Sequence, residues 1–180
     1  MEAPGLAETK PEEAKSESID WEARKDATDK LIYNHTLISM GVGLIPLPLL
    51  DLAALTGVQI RLLYKLSHFY GQEFFKDKAK NIISALIGSV VPISLAGPLC
   101  SILKIVPLVG QTASVLSLSV TGGASTYALG KVFVQHFESG GTFLTFDPAP
   151  VKAHFAEFYR EGQKVAADLK KTATNTAIHK

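Results

Sequence analysis

Apolar positions recur along this chain at helical intervals, and nowhere does a strict apolar–polar alternation persist. The pattern therefore predicts helices and no sustained strand. Trp21, Thr28, Leu31, His35 and Ile38 fall on one stripe, predicting a first helix from about Ser18 or Asp20, both good N-cap types, to the Gly41–Gly43 pair. Pro46 and Pro48 then break the chain. Pro48 suits the first position of a second helix, expected to run through Leu63, Tyr64 and Phe69 to Gly71. A third helix is expected from about Asn81 through "ALIGSVV", with Pro92 kinking or ending it. A fourth runs from about Gln111 to Phe137 and stops at "ESGG". After "TFLTFD", read as a short extended piece, Asp147 and Pro148 mark the start of a last helix. There Val151, Phe155, Phe158, Tyr159, Gly162, Val165, Ala166 and Leu169 form an amphipathic stripe.

Two segments echo each other. "GLIPLPLLDLAALTG" and "KIVPLVGQTASVLSLSVTGG" both lead from a proline break through Thr-Gly toward Tyr, Lys, His and Phe. The expected fold is all-α: two apolar helix–break–helix hairpins plus an amphipathic C-terminal helix. This helical domain is placed at residues 18–172, between an acidic leader at 1–17 expected to be disordered and a flexible tail at 173–180. The leader has no apolar run after a basic start, so it does not read as a secretory signal.

Charge sharpens the picture. Residues 1–30 hold 14 charged residues and residues 138–180 hold 11, whereas the 107 residues between them hold 10, seven of them basic. A net charge of +1 gives no reason to expect a nucleic-acid partner. Residues 81–103 and 105–130 are free of charge, with Lys104 alone between them. Each run exceeds the roughly 20 residues that cross a bilayer as a helix, so membrane embedding, spanning or re-entrant, is expected. A soluble or peripheral bundle is the alternative, because a hairpin buried in protein is equally apolar. Lys76, Lys78 and Lys80 precede the first run and Lys131 follows the second, which puts both ends of the hairpin on the cytoplasmic side. The first three lysines are also candidates for contact with anionic lipid headgroups. Gly122, Thr126 and Gly130 recur four apart, a row that lets helix backbones approach closely.

Little else points to chemistry. Asp51 falls in the first turn of the second helix, where the dipole and free N–H groups favour a carboxylate. A sharper reading pairs it with Lys104, since charges in an apolar block are usually paired. His35, His68, His136 and His154 are scattered without ligand spacing, so no metal site is expected. The single cysteine, Cys100, lies in an apolar run and reads as an inert thiol. No phosphate-binding loop, nucleophile elbow, dinucleotide turn or paired-carboxylate motif is present, so no catalytic residue and no cofactor are expected.

The blocks "IYNHTLISMGVGLIPLPLLDLAALTGVQIRLLYKLSHFYG" and "GGASTYALGKVFVQHFESGGTFLTFDP" resemble the YcjF-like bacterial family of domain of unknown function 697, over about residues 27–160. That resemblance implies a GTPase-associated bacterial membrane module with no established catalytic residues. Lacking a Gly-x-x-x-x-Gly-Lys-Ser/Thr loop, this chain is not itself the GTPase. The expectation is a non-catalytic helical adaptor at the bacterial inner membrane, termini cytoplasmic. Its partners would be membrane lipid, a GTPase encoded nearby and further copies of itself in a homo-oligomer. The alternative is a cytoplasmic or peripheral all-α interaction or lipid-binding domain that buries its apolar hairpins in an oligomer.

Overall fold

The computed structural model describes residues 11–42, 50–95 and 109–178, and side chains within 21–42, 53–90 and 119–172. The described elements are α1 (Pro11–Val42), α2 (Leu50–Phe69), α3 (Lys76–Leu95), α4 (Val109–Glu138) and α5 (Pro148–Ile178). Among the described residues there is no strand, so the protein is all-α.

Two helix ends follow directly from glycine. Gly71 has φ +63° and Gly140 has φ +81°, a region L side chains rarely adopt. After α2, Gly71 N–H donates to His68 O and Gln72 N–H to Ser67 O. After α4, Gly140 N–H donates to Phe137 O and Gly141 N–H to His136 O. Both are Schellman endings that satisfy the last carbonyls. At the start of α5 the Asp147 carboxylate accepts from Ala149 N–H at 2.9 Å, and Pro148 takes the first helical position.

Other boundaries depart from expectation. α1 begins at Pro11, well before Ser18, because proline is pre-set for a first helical turn. α3 absorbs the lysine-rich "KDKAK" and continues past Pro92 to Leu95. A proline removes one helical N–H donor and clashes with one carbonyl, here so close to the helix end that little helix is lost. "TFLTFD" makes a turn at 143–145 instead of an extended piece, since Phe143 and Phe146 both turn inward and are buried. α5 stays helical to Ile178, beyond the expected start of the tail.

α4 is the central helix, packing most extensively on α5 and α1 and also on α2. Contacts fix the directions. Ile32 lies against Gly130 and Met40 against Gly123, so α1 runs antiparallel to α4. Leu55 lies against Gly122 and Gln59 reaches Ser125 and Thr126, so α2 runs parallel to α4. Ala166 meets Gly123 while His154 reaches Gln135, so α5 is antiparallel to α4. At the end where α4 stops, Phe133 stacks on Phe146 at 4.6 Å and packs against Phe137 and Phe143. Phe74 meets Phe143 edge-on, and Tyr70 packs on Phe137, so this aromatic cluster ties both connecting loops to the bundle.

The uncharged runs do not appear as spanning helices: among the described residues no helix is long and apolar enough to cross a membrane. The reason is compositional. In α3 the run carries Asn81, Ser84, Gly88, Ser89 and Pro92, and in α4 it is dense in Ser, Thr and Gly. Absence of charge is therefore not the same as hydrophobicity here.

Candidate functional site

The described side chains converge most closely on the seam where α1, α2 and α4 meet. Its width is set by glycine. A Cβ added at Gly130 would stand 2.6 Å from Ile32 Cγ1, and one at Gly123 would stand 2.6 Å from Met40 Cγ. Gly122 lies under the Ser39 carbonyl oxygen, which an added Cβ would approach to 3.4 Å. On the other side of α4, Gly162 of α5 faces backbone: its Cβ would be 2.8 Å from Ala124 O. The row Gly122, Thr126 and Gly130 thus lies on the α1–α2 side of α4.

Such close approach brings polar side chains into a dry interior. Ser39 Oγ lies 2.8 Å from Thr126 Oγ1. Ser125 and Thr126 hydroxyls both donate to the Gly122 carbonyl, at 2.9 and 3.0 Å, so Ser39 is the donor to Thr126. The Gln59 amide donates to Ser125 Oγ at 3.2 Å and to Thr126 Oγ1 at 3.3 Å. Ser119 Oγ closes the seam with a 2.7 Å bond to Met40 O. Three buried atoms here have no protein partner: Gln59 Oε1, Thr36 Oγ1 and His35 Nε2. His35 Nδ1–H donates to Leu31 O at 2.8 Å, which leaves Nε2 as a bare acceptor. Burial lowers the His35 pKa, opposed by the bond to Leu31 and aided by Lys65 and Arg61. These are hydroxyls, one amide and one neutral imidazole; they fix helix register and form no nucleophile–base pair.

The residues singled out in the sequence lie apart. Asp51 is the second residue of α2; its side chain and Lys104 fall outside the described residues, and so does their pairing. Cys100 falls outside them too. Lys76 is exposed, Lys78 Nζ donates to Leu144 O at 2.6 Å, and Lys80 makes an exposed pair with Asp77 at 3.2 Å. Lys131 pairs with Asp29 of α1 at 2.7 Å. His68 stacks parallel to Tyr64, His136 packs edge-on against Phe146, and His154 contacts Gln135. Among the described residues no group of three His, Cys, Asp or Glu side chains is placed to hold a metal ion. Sequence reasoning passed over Ser39, Thr36 and Gln59. Their signal was polar residues at positions 36 and 39 on the same helical face as Ile32 and His35.

These features define a class: an all-α bundle whose central helix is joined to its neighbours through a glycine-lined, hydrogen-bonded seam. The chain matches the family described as Domain of unknown function (DUF697) over residues 11–164, and it belongs to that family. It is also 31% identical over 151 residues to magnetosome membrane protein 22 of Magnetospirillum gryphiswaldense, covering 83% of this chain and 77% of that protein. No solved structure matches it significantly.

Proposed function

We propose that this chain is a non-catalytic, membrane-associated helical adaptor that couples a cytoplasmic partner, a GTPase in the reading the family resemblance suggests, to the bacterial inner membrane. The observation that carries the reading is the partition of charge. Positions 31–60 carry only Asp51, and 81–130 only Lys104, while the chain ends are dense in both signs. The similarity to a magnetosome membrane protein supports the same direction. Burial and recognition, with no covalent step, account for the side chains in the seam.

A second reading is favoured by one specific observation. Tyr33, Leu37 and Ile38 on α1 are exposed large side chains on one face, which a second copy could cover. Density-gradient flotation of the full chain with bacterial membranes separates the two. The adaptor reading expects the chain to rise with the membrane and to cross-link to a nucleotide-binding protein there. A chain that stays below as a single oligomeric species overturns it in favour of self-association.

A further inference from the structure

Four helices pass from charged to uncharged sequence, and each changes at a basic residue: Lys30 on α1, Arg61 on α2, Lys80 on α3 and Lys131 on α4. Beyond these borders, toward Val42, Leu50, Leu95 and Val109 respectively, the four helices carry one Asp, Glu, Lys or Arg among them, Asp51. The borders of α1, α2 and α4 lie at one height. Lys131 is bonded to Asp29, next to Lys30, and Ile32 lies against Gly130. His35, just beyond Lys30, lies in the field of Arg61 and Lys65. α3 starts at the opposite end of the bundle, where Lys78 holds Leu144 O, and Lys80 follows within one turn.

The border carries a second signature. Tyr33 on α1 and Tyr64 on α2 are 44% and 54% exposed, and they stand beside Lys30, Arg61 and Lys65, all exposed. Tyrosines with lysines and arginines at one level are what a protein presents to the headgroup layer, where amphipathic rings and snorkelling cations both find their place. Past that level the exposed residues are Asn34, within one residue of Tyr33, then Leu37, Ile38 and Gly41 on α1 and Ala53, Ala54 and Gly57 on α2. The uncharged length is about 18 Å on α1, residues 31–42, and about 14 Å on α2 between Asp51 and Arg61, at 1.5 Å per residue. That matches one leaflet, roughly half of a 30 Å hydrocarbon core, and is too short to cross it. α5 sets the orientation. Ala166 meets α4 at Gly123, so the exposed Lys164, Asp168 and Lys171 lie at the height of the uncharged part and require water.

We infer that the α1–α2 face enters one leaflet of an anionic bilayer at a tilt, with Lys30, Tyr33, Arg61, Tyr64 and Lys65 at headgroup level and α5 turned to water. The inference rests on the membrane reading above and adds the face, the depth and the lipid charge.

The test uses the full chain carrying Cys100→Ser and one reporter cysteine at a time, labelled with an environment-sensitive fluorophore. Ile38→Cys and Ala54→Cys lie beyond the border; Glu73→Cys and Glu157→Cys lie on the charged side. Vesicles are three parts phosphatidylcholine to one part phosphatidylglycerol, with doxyl lipids as quenchers. Quenching at 38 and 54 and none at 73 and 157 is expected. Neutralising Lys30→Gln, Arg61→Gln and Lys65→Gln together should weaken partitioning on the order of a hundredfold. Should that variant lose its helical circular dichroism, the reporters alone decide. A chain that floats with vesicles while 38 and 54 stay unquenched, or while 73 and 157 are quenched as strongly, overturns the inference and leaves the membrane reading standing. A chain that does not float with these vesicles or with bacterial membranes removes both.

Discussion

Gln59 shows how the seam trades stability for register. Its amide is fully buried, its two donors make bonds of 3.2 and 3.3 Å, and its carbonyl oxygen accepts nothing. Ser125 and Thr126 already donate to Gly122, so removing the amide orphans neither hydroxyl. Gln59→Leu should therefore be neutral or stabilising by about 1 kcal/mol in urea unfolding, whereas Gln59→Glu should destabilise by burying a charge. Glycines give the opposite sign. Gly162→Ala drives a methyl into Ala124 backbone and should cost about 1–3 kcal/mol, even though alanine favours helix by about 1 kcal/mol. At Gly130→Ala the clash is with Ile32 Cγ1, which valine would keep, so Ile32→Ala in the same chain should cost less than the two single changes added together. His35 makes a pH prediction. Burial holds its folded pKa below the ordinary imidazole value of about 6.5, so on acidification the unfolded chain takes up the proton first. Stability should hold above pH about 6.5 and fall as pH drops from there toward the folded pKa; His35→Gln should flatten that fall in urea titrations. Part of this was legible: Gly122, Thr126 and Gly130 were readable as a close-packing row. Their partners were not, because Thr36 and Ser39 are polar and hydropathy ranks them as surface. The stripe of α1 was right at Thr28 and His35, which are buried, and wrong at Trp21 and Ile38, 49% and 51% exposed, while the buried Ser39 was left out of it.

At the level of elements, loops are fastened where aromatic rings reach the core. Phe133 touches Phe137, Phe143 and Phe146, so it links α4 to the turn that feeds α5. Phe133→Ala should cost about 3–5 kcal/mol by thermal or chemical unfolding. It should also loosen 139–147 more than the seam, which amide exchange can resolve. By contrast, breaking the Lys131–Asp29 pair should change stability by less than about 1 kcal/mol, because both side chains keep solvent contact. Helix ends were legible wherever a residue has a backbone reason to be there: Gly71, Gly140 and Asp147–Pro148 each do what their conformational preferences dictate. Starts without such markers were not. "KDKAK" lies before the expected start at Asn81, yet lysine and alanine are good helix formers, and α3 begins at Lys76. The stripe of α5 was legible in full, since Phe155, Tyr159 and Ala166 are buried at helical spacing.

For the whole molecule, the all-α class and the family were readable from the chain, and the central error was one of scale. Runs of 23 and 26 uncharged residues suggest membrane-crossing length, but their described parts, 81–95 in α3 and 109–130 in α4, lie in helices rich in Ser, Thr and Gly, and among the described residues none is apolar enough to cross a membrane. What is left is a bundle with one uncharged side bordered by cations, which no linear window displays because its parts come from helices separated in sequence. If that border meets anionic lipid, raising salt should release the chain from phosphatidylglycerol vesicles progressively, with apolar contact retaining a salt-resistant fraction measurable by sedimentation.

The seam also has a consequence in time. Ser39 and Thr126 are 87 residues apart, and α4 supplies most of what α1 packs against. At a translation rate of about 5–20 residues per second, α1 is made on the order of 4–17 s before its partner exists. During synthesis the Thr28–Met40 face has no α4 to cover it, so the last third of the chain closes the first. Nascent chains truncated before Val109 should therefore remain protease-sensitive across α1, and extension past Gly130 should protect it in one step.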